Sequence, residues 1–258
     1  MSDQPASLFA PPQAQEPLPP PAPGLLDQIV GVFTEPKALF TRLRARPTWI
    51  PALLATLVVS LVAMLIWASK VDMAEATRHQ LERSQEVFHV NIPEQAMEDA
   101  ISKAEGKKPW VSAVSTSVLA TPLVYLIVAL IVWGCASMGT EEGEDSPTFG
   151  QSFSVTCVHY LSTLPAMLLA GIIALVRPVG GANIQQLMPT ALSFYLRPEA
   201  AVTRGLIALV DPLWIFSFFV LAIGMRHTLK AKTWAVGLCL GIFGVFGAGL
   251  HILGGLFQ

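Results

Sequence analysis

Charged side chains are scarce in this chain of 258 residues: 13% are Asp, Glu, Lys or Arg, where soluble domains carry about 25%. That deficit excludes an ordinary water-facing globule. Basic residues nowhere gather into more than a short juxtamembrane patch and the formal net charge is −2, so no nucleic acid partner is expected. Cysteine is confined to Cys135, Cys157 and Cys239, all inside apolar runs, which excludes an extracellular disulfide framework. Residues 1–24 lack Lys, Arg and any apolar core, so a cleavable signal peptide is not expected and the first span serves as its own insertion signal. Catalytic signatures are missing too: no G-x-S-x-G, no His-Glu-x-x-His, no aspartate pair in facing spans and no Lys or Arg at mid-span. An enzyme is not expected, and no cofactor is implied.

What the chain does hold is apolar sequence, 53% of it, in blocks long enough to cross a bilayer, which takes roughly 20 residues at 1.5 Å rise. The expected fold is all-α: a polytopic bundle of five transmembrane helices with an N-terminal interfacial helix and a helical extramembrane loop. Residues 1–24 hold eight of the twenty prolines and read as an extended, disordered tail, with a ligand for a proline-reading domain as the alternative. Residues 25–47 follow as amphipathic helices: Leu26, Ile29, Val30 and Phe33 recur at helical spacing, then Pro36 restarts a helix with Leu39, Phe40 and Leu43 on one side. Lys37, Arg42, Arg44 and Arg46 surround that second helix and are expected to anchor it at the membrane surface. A soluble docking helix for a partner is the alternative.

The membrane domain occupies 48–257, with spans at about 48–69, 111–138, 153–176, 211–227 and 233–256. All six tryptophans fall near span ends, as interfacial belts require. Residues 71–109 read as two helices outside the membrane, Met73 to about Val90 and Pro93 to Glu105, closed by Gly106. The third span is the centre of the bundle, because Cys157, His159, Tyr160 and Pro165 are tolerable in lipid only when neighbouring helices cover them. Asp211 followed by Pro212 marks the N-cap and N1 of the fourth. In the fifth, Gly237, Gly241, Gly244 and Ala248 form one small-residue stripe, an expected packing face.

Two constellations admit metal chemistry. Glu75, His79, Glu82, Glu86 and His89 make one polar helix stripe, read as a solvated face or, more sharply, as a metal-binding stripe. Cys135, Cys157, Cys239 and His159 lie at one membrane depth and read as buried small hydrophobes or as a soft-metal set. No metal site is assigned to either. Basic residues split between the two sides, nine of the sixteen opposite the N-terminus, so charge counting alone does not orient the chain.

Several stretches carry a family likeness: VFTEPKALFTRLRARPTWIPALL into the first span, TFGQSF and HYLSTLP in the third, and DPLWIF with MRHTLKAKTWA in the fourth and its exit. From Ile29 onward the chain resembles the Yip family of five-span proteins, named for interaction with Ypt/Rab GTPases, and in particular its bacterial branch. Phe149, Gly150, Tyr160 and Pro165 match the family motif, while His159 stands where the family has glycine. The resemblance implies a cytoplasmic N-terminus, a C-terminus across a bacterial inner membrane and no enzymatic activity. It also implies work in trafficking or membrane homeostasis through membrane or cytoplasmic protein partners, with homo-oligomers allowed. The Asp-Leu-Tyr-Gly-Pro segment of eukaryotic members is absent, so GTPase binding does not carry over. A small transporter or channel subunit, its path lined by Tyr160, His159 and the Ser/Thr face of the second span, is the alternative.

Overall fold

The computed structural model describes residues 21–106, 108–182, 184–196, 203, 207 and 210–256. Most of the Pro-rich tail and the side chains of Glu86 and His251 lie outside what is described. The described residues contain helices and two isolated bridges, Val71 with Gly180 and Thr140 with Ala231, and no strands.

Two short helices, α1 (Leu25–Thr34) and α2 (Pro36–Ala45), lead to α3 (Ile50–Ala68). α4 (Met73–Phe88) and α5 (Glu94–Glu105) follow, close to the expected bounds of the extramembrane pair. Asp72 separates α4 from α3 by accepting the Ala74 and Glu75 amides, which closes off one continuous helix. α6 (Pro109–Ser115) passes through a π turn at Thr116–Ala120 into α7 (Thr121–Met138), a single apolar run of 30 residues. α8 (Phe149–Leu161) and α9 (Leu164–Val176) form a pair bent by 40°. Two short 3₁₀ turns, Ile184–Leu187 and Leu192–Phe194, precede α10 (Pro212–His227) and α11 (Thr233–Leu256).

Two of these elements are long and apolar enough to cross a membrane, Ile50–Ala68 and Pro109–Met138, and the bent pair makes a third if it counts as one span. α10 has 16 residues, about 24 Å at 1.5 Å each, and α11 is a further apolar helix.

The hydrogen bonds sort the helix ends into two poles. At one, the Thr228 hydroxyl donates to the Phe40 carbonyl (2.7 Å), the Gln151 amide to the Arg44 carbonyl (3.2 Å), and the Glu141 amide to the Lys230 carbonyl (2.9 Å). At the other, the Trp67 indole donates to the Ala182 carbonyl (2.8 Å), and the Asp72 amide to the Gly180 carbonyl (2.8 Å). Long helices run alternately between these ends.

Prolines shape both irregular helices. Pro122 has no amide to give the Val118 carbonyl, and the π turn ahead of it shifts the pattern so that the Thr121 hydroxyl caps the Thr116 carbonyl (3.1 Å). Pro165 likewise cannot serve Leu161. The chain tightens there to i→i−3 bonds, and the Ser162 and Thr163 hydroxyls donate to His159 and Tyr160 carbonyls at 2.6 and 2.8 Å. The third expected span is therefore built of two helices, α8 from Phe149 and α9 to Val176.

Tight contacts occur where a side chain is missing. A Cβ on Gly224 would lie 2.6 Å from Val155 Cγ1 and 3.0 Å from Phe40 Cε1, so this glycine lets α10 meet α8 and α2. α3 and α9 meet through Ala63, Ala170, Gly171 and Ala174. The glycine stripe of α11 behaves otherwise. A Cβ at Gly237, Gly241 or Gly244 meets nothing within 4 Å, so among the described residues the expected packing face turns away from the bundle.

Candidate functional site

The polar groups concentrate at the end of the bundle formed by α2, the loop 139–148 and the turn 228–232. α2 arrives with Leu39, Phe40 and Leu43 buried against α8 and α10. The apolar stripe of α2 is thus covered by protein, because the missing Cβ at Gly224 leaves room for Phe40. α1 differs, with Leu26, Val30 and Phe33 exposed. Gln28 ties it to the entrance of α3, its amide donating to the Pro23 carbonyl (3.0 Å) and to the Thr48 hydroxyl (3.1 Å).

The cations of this pole divide into two groups. Arg42 pairs with Asp27 at 3.1 Å and Arg44 pairs with Glu144. Arg226 lies 3.6 Å from Glu141, Lys232 3.7 Å from Glu142 and Lys230 3.9 Å from Glu144. The acidic loop therefore neutralises α2, the end of α10 and the turn into α11 together. Of the four residues expected to anchor the surface, Lys37 and Arg46 are exposed with no ion pair among the described residues, while Arg42 and Arg44 are engaged. The Arg44 hydrogen bond holds the Glu144 carboxyl below its ordinary range, and the Gly24 amide followed by Arg42 does the same for Asp27.

A pocket of ≈ 370 Å³ opens among these groups, lined by Thr41, Arg44, Asp145, Thr148, Gln151 and Lys230. Its wall is preformed by local sequence. The Thr148 hydroxyl accepts the Gln151 amide (3.2 Å) while the Gln151 side chain accepts the Thr148 amide (3.0 Å), a capping box that starts α8. The loop is held by the Thr140–Ala231 bridge and by the Lys232 amide donating to the Gly139 carbonyl at 2.6 Å.

The motif residues lie at and below this pole. Phe149 stacks on Phe153 (6.0 Å between rings), which meets Trp49 edge-on at 5.1 Å. Gly150 is exposed, and a Cβ there would touch only the Thr148 hydroxyl at 4.0 Å. Tyr160 stacks face to face on Tyr125, 4.0 Å apart and 5° from parallel. His159 Nδ1 lies 2.8 Å from the Ser217 carbonyl, a link from α8 to α10 that a glycine would lack. Pro165 sits one residue inside α9, after the bend.

Neither metal constellation closes among the described residues, where no three His, Cys, Asp or Glu side chains gather as a metal site. Glu75, His79, Glu82 and His89 are all exposed, with the Glu75 carboxylate against the Gly180 backbone. Cys135 and Cys239 come together, and Cys157 stands with the tyrosines instead.

A family model decides what the architecture belongs to: the Yip1 domain matches residues 30–253. The chain belongs to the Yip1 domain family. Its apolar helices fit a membrane protein of that family, and the match runs from within α1 to near the end of α11. Comparison with curated proteins and with solved structures finds no match. Sequence reasoning missed Glu141, Glu142 and Glu144 as ion-pair partners of the basic turn and Gly224 as the closest helix approach. The signal for the loop was its lack of any basic residue opposite a turn rich in them.

Proposed function

We propose that this Yip1 domain protein is a non-enzymatic, five-span protein of a bacterial inner membrane that organises membrane proteins through its charged pole. α10 and α11 supply the fourth and fifth crossings, the charged pole lies in the cytoplasm, and α4 with α5 lies outside. Support comes from one arrangement above others: an ion-paired face drawn from α2, the acidic loop and the α10–α11 turn, beside exposed Lys37 and Arg46. Polar rims of this kind give partner register and encounter rate more than raw affinity. Lys37 and Arg46 bind the headgroup layer, and the exposed edge of α1 at Leu26, Val30 and Phe33 enters it.

A transport path draws no comparable support, since Tyr160 is occupied by its stack on Tyr125 and His159 by the Ser217 carbonyl. The test is photocross-linking in native membranes from a probe at Glu142 and, separately, at Glu98. Discrete protein adducts from Glu142 that weaken in high salt are expected; adducts from Glu98 alone would move the partner surface to the opposite pole.

A further inference from the structure

α7 and α11 meet antiparallel and at close range at the charged pole. Thr140 bridges Ala231, and a Cβ on Gly139 would lie 2.6 Å from that of Ala235. One turn deeper, four residues back along α7 and four forward along α11, the register sets Cys135 opposite Cys239. Their thiols interact across this seam, both are buried and both are free. Close backbones are the condition for bridging, since Cα atoms beyond about 7 Å cannot be joined by a disulfide. Cys157 stands apart, on α8 beside Tyr125 and Tyr160.

We infer that Cys135 and Cys239 are an oxidation site at which a hydroperoxide closes a disulfide that staples α7 to α11. Cys135, the less completely covered of the two, is the entry point, and both thiols lie about 6 Å along their helices from the Gly139–Ala235 contact at the pole. Its sulfur attacks one peroxide oxygen. The O–O bond breaks, an S–O bond forms, and the thiol proton leaves in the first water. The Cys239 sulfur then attacks the sulfenic sulfur, forming the S–S bond as the S–O bond breaks. The departing hydroxyl takes the Cys239 proton as a second water. Two thiols and one hydrogen peroxide become one disulfide and two waters, with two electrons passing from sulfur to peroxide. This device is independent of which partner the pole binds.

The experiment treats the full-length protein in lipid nanodiscs with hydrogen peroxide, then denatures it and counts free thiols with a maleimide mass tag. Three tags before treatment and one after are expected, with reductant restoring all three. Cys157→Ser should fall from two tags to none, and Cys239→Ser from two to one, its Cys135 left as a sulfenic acid that a dimedone probe captures. Three tags after treatment, or protection that requires Cys157, would overturn the assignment. Should Cys239→Ser fail to fold, peptide mapping of the oxidised wild type decides the same question by which two cysteines are joined.

Discussion

At Gly224 a single added methyl group would have to share space with Val155 and the Phe40 ring, so the position tolerates no side chain without moving a helix. Gly224→Leu should lower the apparent Tm in detergent and cost at least the ~1–3 kcal/mol typical of overpacking. Gly241→Leu, facing open space, should leave it unchanged; the reverse order would contradict the packing described. From sequence the two glycines look alike, and the periodic one draws attention because spacing reports a face without saying what covers it. Glu144 offers a pH test. Its folded pKa is depressed, so the Arg44 pair stabilises the fold above the ordinary glutamate range near ~4.3 and loses that contribution as pH falls through the lowered value. Wild type should therefore melt above Glu144→Gln at neutral pH, and the gap should close in acid. A gap that widens in acid would reverse the sign.

Among the elements, those with local signals were legible and those defined by a neighbour were not. α4 and α5 follow from helix punctuation, and α10 from Asp211, whose carboxylate accepts the Leu213 amide at 2.8 Å. What covers the apolar face of α2 is not legible, because one-sided hydrophobicity is the same whether lipid or protein covers it. The seam of α3 on α9 was missed, although Ala170, Gly171 and Ala174 announce it as clearly as the outward stripe announces α11. Proline positions promised irregularity without its form. In the π turn before Pro122 the Thr121 hydroxyl joins the Thr121 amide at the Thr116 carbonyl, so Thr121→Val should cost about 1 kcal/mol of thermal stability, the net worth of one hydrogen bond. No loss would mean that the turn closes without it.

For the whole molecule, the poles carry the functional account. One is an ion-paired surface beside exposed cations; the other holds α4, α5 and the loop that Trp67 and Asp72 bind. Composition makes the membrane legible, but orientation is not, because basic residues divide between the two ends and the acidic loop offsets those at the first. Placing the charged pole in the cytoplasm with five crossings is the central claim. Cysteine accessibility in intact cells tests it most directly, in a Cys135→Ser, Cys157→Ser, Cys239→Ser background carrying either Glu98→Cys or Glu142→Cys. A membrane-impermeant maleimide should label the Glu98→Cys protein from outside and reach the Glu142→Cys protein only after the membrane is opened. Labelling of both from outside, or of Glu142→Cys alone, would contradict the account.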